Sequence, residues 1–290
     1  EKKLSPEALK PPECLLGRGS LDKMEIDVLE QRDNFLRFII RGITPAAANA
    51  IRRTAMAEVP TMAIDDVIFI DNSSVMFDEQ IAHRLGMIPI KTDLTSYSLS
   101  EECSCGGQGC TGCEVSFTLE KEATSDMETV YSGDLVSQDP AIGAVIEKIP
   151  ILQLARGQKI LVEAIARLGR GIDHAKFQAV SSVGYKYLPH VVVIPENCTL
   201  CWDCTKACPV NIIKEGDTEV KVIDMDKCIL CSQCEDICEV DAIRIETTGD
   251  EFLFNLESSG SLTAREILIE AVNILKRKAE ELTAKIRELE

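Results

Sequence analysis

The stretch CTLCWDCTKACPVNIIKEGDTEVKVIDMDKCILCSQCEDIC, residues 198–238, carries one cysteine pattern twice. Cys198-x2-Cys201-x2-Cys204-x3-Cys208 is followed, 30 residues after its start, by Cys228-x2-Cys231-x2-Cys234-x3-Cys238. Three cysteines at successive x2 spacings wrap a tight loop around one cubane iron–sulfur cluster, so that three iron corners receive soft thiolates from a single turn of backbone. The fourth ligand comes from the other run. The expected ligand sets are therefore Cys198, Cys201, Cys204 and Cys238 for one 4Fe-4S cluster, and Cys208, Cys228, Cys231 and Cys234 for a second. Zinc is the competing reading, but structural zinc sites usually draw ligands in two well-separated pairs.

The flanks repeat as well. Pro209-Val210-Asn211-Ile212-Ile213 parallels Glu239-Val240-Asp241-Ala242-Ile243, each read as a helical turn leading into a strand. Glu239 stands where a ferredoxin repeat usually has proline, which loosens that turn or shifts the potential of the nearby cluster.

A second cysteine group, Cys103-x-Cys105-x4-Cys110-x2-Cys113, lies among Gly106, Gly107, Gly109 and Gly112. Four thiolates within so short a loop can close one tetrahedral zinc, the glycines allowing the reversals that aim each sulfur inward. Disulfides or an empty loop are the alternatives, since the unequal spacing matches no strict consensus. The thirteenth cysteine, Cys14, reads as a spectator in a loose extension over residues 1–23.

Outward from the cysteines, Met24 to Ile40 alternates and then runs apolar, which suits a hairpin turning at Arg32-Asp33-Asn34. Thr44-Pro45 supplies an N-cap and a first-turn proline for a helix over Ala46–Glu58 that stops ahead of Pro60. Asp65 to about His190 is a mixed region of short strands and turns. Glu251 to Leu256 alternates again as a strand. From Leu262 to the end, a Thr263/Glu266 capping box opens one long helix. Its stripe is Ala264, Leu268, Ala271, Leu275, Ala279, Leu282, Ile286 and Leu289. That stripe either meets a partner or packs on its own domain, and its balanced charges do not suit a membrane surface.

Hydrophobic residues make up 45% of the chain and charged ones 27%, and the net charge is −17. Such a surface repels phosphate, so direct sequence-specific nucleic-acid binding is not expected; Arg52-Arg53 reads as a solvated helix face. No apolar run approaches the roughly 20 residues of a membrane helix, and no secretory h-region follows the start. Cysteine-rich metal sites then place the chain in a reducing, cytoplasmic setting. Three histidines (His83, His174, His190), with no phosphate loop and no nucleophile elbow, offer no catalytic constellation.

Four segments carry a resemblance: FLRFIIRGITPAAANAIRRTAMAEVPTMAIDDVIF (35–69), FDEQIAHRLGMIPI (77–90), RLGRGIDHAKFQAVSSVGYKY (167–187) and FLFNLESSGSLTAREILIEAVNILKRKAEEL (252–282). From about Met24 onward the chain resembles the third-subunit family of archaeal DNA-directed RNA polymerase, related to the bacterial alpha amino-terminal domain and the eukaryotic third-largest subunit. The resemblance implies an α+β protein with a discontinuous, alpha-subunit-like dimerisation domain over 24–71 and 249–290. It also implies an inserted mixed α/β domain over 72–192 with the Cys103–Cys113 loop, and an inserted ferredoxin-like domain over 193–248. It further implies a non-catalytic assembly platform that pairs with RNA polymerase subunit L through its helices, in an enzyme whose nucleotidyl-transfer chemistry belongs to larger subunits. Two clusters in such a scaffold suggest a structural or regulatory task. The cluster motif taken alone points instead to a ferredoxin-type electron-transfer subunit of an oxidoreductase, although no nucleotide or flavin signature accompanies it.

Overall fold

The computed structural model describes residues 24–289; the extension and its Cys14 lie outside them. In chain order the elements are β1 Glu25–Arg32, β2 Phe35–Arg41, α1 Pro45–Ala57, β3 Thr61–Asn72, α2 Asp78–Gly86, β4 Glu114–Glu122, β5 Met127–Tyr131, β6 Leu135–Ser137, β7 Pro150–Ala155 and β8 Lys159–Gly169. They continue with β9 Val180–Tyr187, β10 His190–Val193, α3 Asp203–Ala207, β11 Ile213–Glu215, β12 Val220–Val222, α4 Gln233–Asp236, β13 Ile243–Glu246, β14 Glu251–Ser258 and α5 Ala264–Arg287. The fold is α+β. No helix among the described residues is long and apolar enough to cross a membrane.

The first sheet has the order β1-β2-β14-β9, antiparallel throughout. The expected hairpin forms β1 and β2. Alternation along β2 and β14 puts Leu36, Phe38, Ile40, Phe252, Phe254 and Leu256 on one face, where α1 and α5 cover them. Phe38 and Phe254 stack with ring centroids 5.2 Å apart, and Tyr185 of β9 closes on Phe254 at 5.3 Å. Both helices start where the residues dictate. The Thr44 hydroxyl accepts from the Ala47 N–H at 3.2 Å, with Pro45 at the first position. In α5 the Glu266 N–H donates to Thr263 Oγ1 at 3.3 Å while the Thr263 N–H donates to the Glu266 carboxylate at 2.9 Å.

The second sheet, β3-β8-β4-β6, encloses the largest core, built from Met62, Ile64, Phe117, Leu119, Ile151 and Val162 with Ile81 and Leu85 of α2. Strand pairing runs across the expected domain bounds. β3, expected within residues 24–71 of the frame, is an edge strand of this second sheet, paired with β8 along its length. β9, expected within the 72–192 insert, is the outer strand of the first sheet. The helical stripe also shifts: α5 buries Ala264, Ile267, Ala271 and Ile274, with Leu268 only partly covered.

β10 and β13 form a two-stranded ribbon, His190 opposite Glu246 and Val193 opposite Ile243. The chain leaves this ribbon at Ile194 and returns to it at Ala242, whose carbonyl accepts from the Ile194 N–H at 2.8 Å. All eight cysteines of the two runs lie between those residues.

Candidate metal centres

The two cysteine runs are one backbone drawn twice. Left-handed residues occur at Leu200 and Leu230, at Trp202 and Ser232, and at Asn211 and Asp241, each pair 30 positions apart. With Asp224 they are the non-glycine residues of positive φ among those described. Hydrogen bonds repeat at the same offset: Cys198 N–H to Pro195 carbonyl and Cys228 N–H to Met225 carbonyl, Asn211 N–H to Cys208 carbonyl and Asp241 N–H to Cys238 carbonyl. Left-handed residues on both sides of the middle cysteine reverse the chain twice within one turn, which lets three side chains of one run converge.

One cysteine of the second run, Cys238, lies beside three of the first. Cys198, Cys201, Cys204 and Cys238 line one apolar pocket together with Val193, Trp202, Val220, Ile237 and Ile243. The Cys204 thiol is held above its ordinary value by burial first, then by the neighbouring Cys201, Cys198 and Cys238 sulfurs. Cys234 is pushed up to about 11, again by burial first and then by Cys228 and Cys208. Cys208, Cys228 and Cys234 are buried together with Ile212, Ile213 and Val220, so sulfur is a large part of this region's small core. Cys201 and Cys231, the middle cysteines, are both exposed. The Ala242 N–H donates to Cys238 Sγ at 3.2 Å, the kind of outer contact that orients a metal ligand.

The Cys103 loop is tighter. Its four sulfurs lie within 4.8 Å of one another, with Cys103–Cys110 at 3.5 Å, Cys105–Cys113 at 3.6 Å and Cys110–Cys113 at 3.8 Å. A disulfide would need about 2.05 Å, whereas sulfurs about 2.3 Å from a tetrahedral zinc stand about 3.8 Å apart. The loop could bind a metal. Gly107 and Gly109, at φ +80° and +84°, make the reversals, and a Cβ on Gly109 would meet the Glu114 carboxylate at 2.5 Å. Both ends of the loop are pinned by the end of β8: Arg167 donates to Glu114 at 2.6 Å and Arg170 to Glu102 at 3.1 Å. Hydrogen bonding with Cys103 draws the Cys105 thiol down to about 6, while burial pushes Cys113 up to about 12.

Residues 37–279 match the family model of the RNA polymerase Rpb3/Rpb11 dimerisation domain. DNA-directed RNA polymerase subunit Rpo3 of Archaeoglobus fulgidus is 48% identical over 92% of this chain and 99% of its own length. The Rpo3 subunits of Methanosarcina acetivorans and Pyrobaculum arsenaticum are 43% and 36% identical over 92% and 90% of the chain. The chain belongs to the Rpo3 family of archaeal RNA polymerase subunits.

In this Rpo3-family chain Arg52, His174 and His190 are engaged in hydrogen bonds. Arg52 is tied to Asn49 of its own helix at 3.0 Å. His190 pairs with Glu251 at 2.6 Å, His174 accepts from the Lys176 N–H at 3.1 Å, and His83 sits in the last turn of α2. Sequence reasoning missed Arg37 of β2 and Lys186 of β9. Arg37 donates to the Asp226 carboxylate at 2.8 Å, and the Lys186 ammonium donates to the Asp226 carbonyl at 2.8 Å and to the Cys228 carbonyl. No local pattern marks either residue, because each acts on a segment some 40 positions or more away.

Proposed function

We propose that this chain is the assembly-platform subunit of an archaeal DNA-directed RNA polymerase, pairing with subunit L and carrying two 4Fe-4S clusters in a structural or regulatory role. The observation that carries the cluster reading is the apolar pocket lined by Cys198, Cys201, Cys204 and Cys238, a set the sequence could bring together only by crossing the two runs. The donor chemistry fits: soft thiolates, apolar walls and backbone N–H support suit iron–sulfur ligation. Cys208, Cys228, Cys231 and Cys234 would hold the second cluster, and Cys103, Cys105, Cys110 and Cys113 a structural zinc.

Energetics favour a structural task. A left-handed residue other than glycine costs roughly 1–2 kcal/mol, and this short module keeps several while burying only a handful of aliphatic side chains. Thiolate–metal bonds offset that strain, as structural metals do in other small domains. For the frame, α1 and α5 pack against each other on the first sheet, and the α5 stripe continues past Ile274 to Leu282 and Ile286, 61% and 53% exposed. An apolar helical face extended beyond its own core suits a partner subunit.

Co-purification tests both halves. Leu282→Asp with Ile286→Asp should abolish capture of subunit L. Cys201→Ser with Cys231→Ser should leave that pairing intact and reduce the yield of later assemblies. Unchanged assembly yields in the cysteine variants would contradict the structural role, and a flavoprotein partner in place of polymerase subunits would favour the electron-transfer reading.

A further inference from the structure

The first sheet has two faces, and only one is taken by helices. Leu36, Phe38 and Ile40 of β2 point at α1 and α5. Arg37, between them, must point the other way, and so must Lys186 between Tyr185 and Tyr187 of β9. Across the strands Arg37 is level with Asn255 and Lys186 with Leu253 of β14, so the two cations sit on one face, flanking a small apolar patch of Ile39, Leu188 and Leu253.

Both cations end on the turn that delivers Cys228. Arg37 reaches the Asp226 carboxylate at 2.8 Å and its carbonyl at 3.2 Å; Lys186 reaches the Asp226 carbonyl at 2.8 Å and the Cys228 carbonyl. The Cys228 N–H is itself bound within that turn, to the Met225 carbonyl. Arg37 Nε is buried and has no acceptor in the protein, so the guanidinium gives up solvent for little besides Asp226. Among the described residues, no hydrogen bond or ion pair runs from the first sheet to Cys198, Cys201, Cys204 or Cys238.

We propose that Arg37 and Lys186 form a clasp through which the frame holds the Cys208/Cys228/Cys231/Cys234 site alone, so that occupancy of this site, and not of the Cys198 site, is transmitted to the first sheet. The inference rests on the reading that both sites hold clusters. Lys186 and Arg37 are positioning residues. They fix the first ligand of the second site through its carbonyl, and if that turn unravelled they would be left as partly buried cations without partners, an unfavourable state the sheet must relax to avoid.

The test uses the full chain reconstituted anaerobically with iron and sulfide, in two backgrounds: Cys201→Ala with Cys204→Ala leaves the second site, and Cys231→Ala with Cys234→Ala leaves the first. Lys186→Met should speed iron loss to a ferrous chelator about tenfold in the first background, the scale of one charge-assisted hydrogen bond, and leave the second background unchanged. Lys186→Arg should restore retention. A reciprocal measurement keeps Lys186 intact: amide exchange in β2 and β9 should quicken when the second site is emptied and stay constant when the first is. Equal effects on both sites, or none, with iron present overturn the clasp. An unsubstituted chain that takes up no iron overturns the cluster reading and the clasp with it.

Discussion

The two cysteine regions hold their sulfurs in opposite ways. In the Cys103 loop the four sulfurs are already gathered at the spacing of a single tetrahedral ion, and the loop is pinned to a large apolar core by Arg167 and Arg170. In the Cys198–Cys238 module the sulfurs line a pocket and make up much of the core themselves. On the proposed reading, the first region is a metal site attached to a finished domain, and the second is a domain whose interior is organised for its clusters. Ligand size would set the difference, since one ion fits inside a loop while a cubane needs walls.

The strongest way to break this comparison is to strip each region of its metal. Removing iron and sulfide should abolish amide protection across residues 194–242 while β4 and β8 keep theirs; equal protection before and after would make the module an independent fold and contradict the comparison. The next effect is all-or-none at one site. With Cys228, Cys231 and Cys234 replaced by alanine, Cys238→Ala should eliminate the remaining cluster and Cys208→Ala should spare it, read by iron content; the reverse outcome would mean each run serves its own cluster.

A smaller, local effect belongs to the Cys103 loop. A thiol must lose its proton to bind metal, and Cys113, held up to about 12, is protonated at neutral pH without it. Zinc binding should therefore release protons and strengthen as pH rises, losing affinity from about pH 8 toward 6 in competition with a chromophoric chelator. An affinity flat over that range would show that the thiolates are already formed. Smallest of all, Thr44→Ala should cost about 1 kcal/mol in chemical denaturation and leave both metal contents unchanged, confirming that the frame folds on its own account.

Much of this is legible in the residues because it is local. Thr44-Pro45 and Thr263/Glu266 announce their helices through hydrogen bonds three positions long, and the double cysteine pattern announces a backbone that repeats at an offset of 30 residues. What escapes the sequence is long-range. The segment TMAIDDVIFIDN reads as a strand anywhere, and nothing in it says that β8 rather than β2 is its neighbour. VSSVGYKY falls within the 72–192 insert that the resemblance implies, yet one of its faces carries Tyr185 into the frame core. The periodicity of α5 phases its stripe on Leu268 and Leu275, whereas burial is carried by Ile267 and Ile274, one position earlier on a nearly continuous apolar face. Leu200 and Leu230 give no hint of left-handed backbone, since leucine adopts it only under constraint from its surroundings.

The most direct test of the central claim is iron, sulfide and zinc analysis of the anaerobically purified chain in complex with its partner. Two cubanes require about eight iron and eight sulfide per chain, with one zinc for the Cys103 loop. Zinc in place of iron throughout, or no iron under strict exclusion of oxygen, would contradict the account.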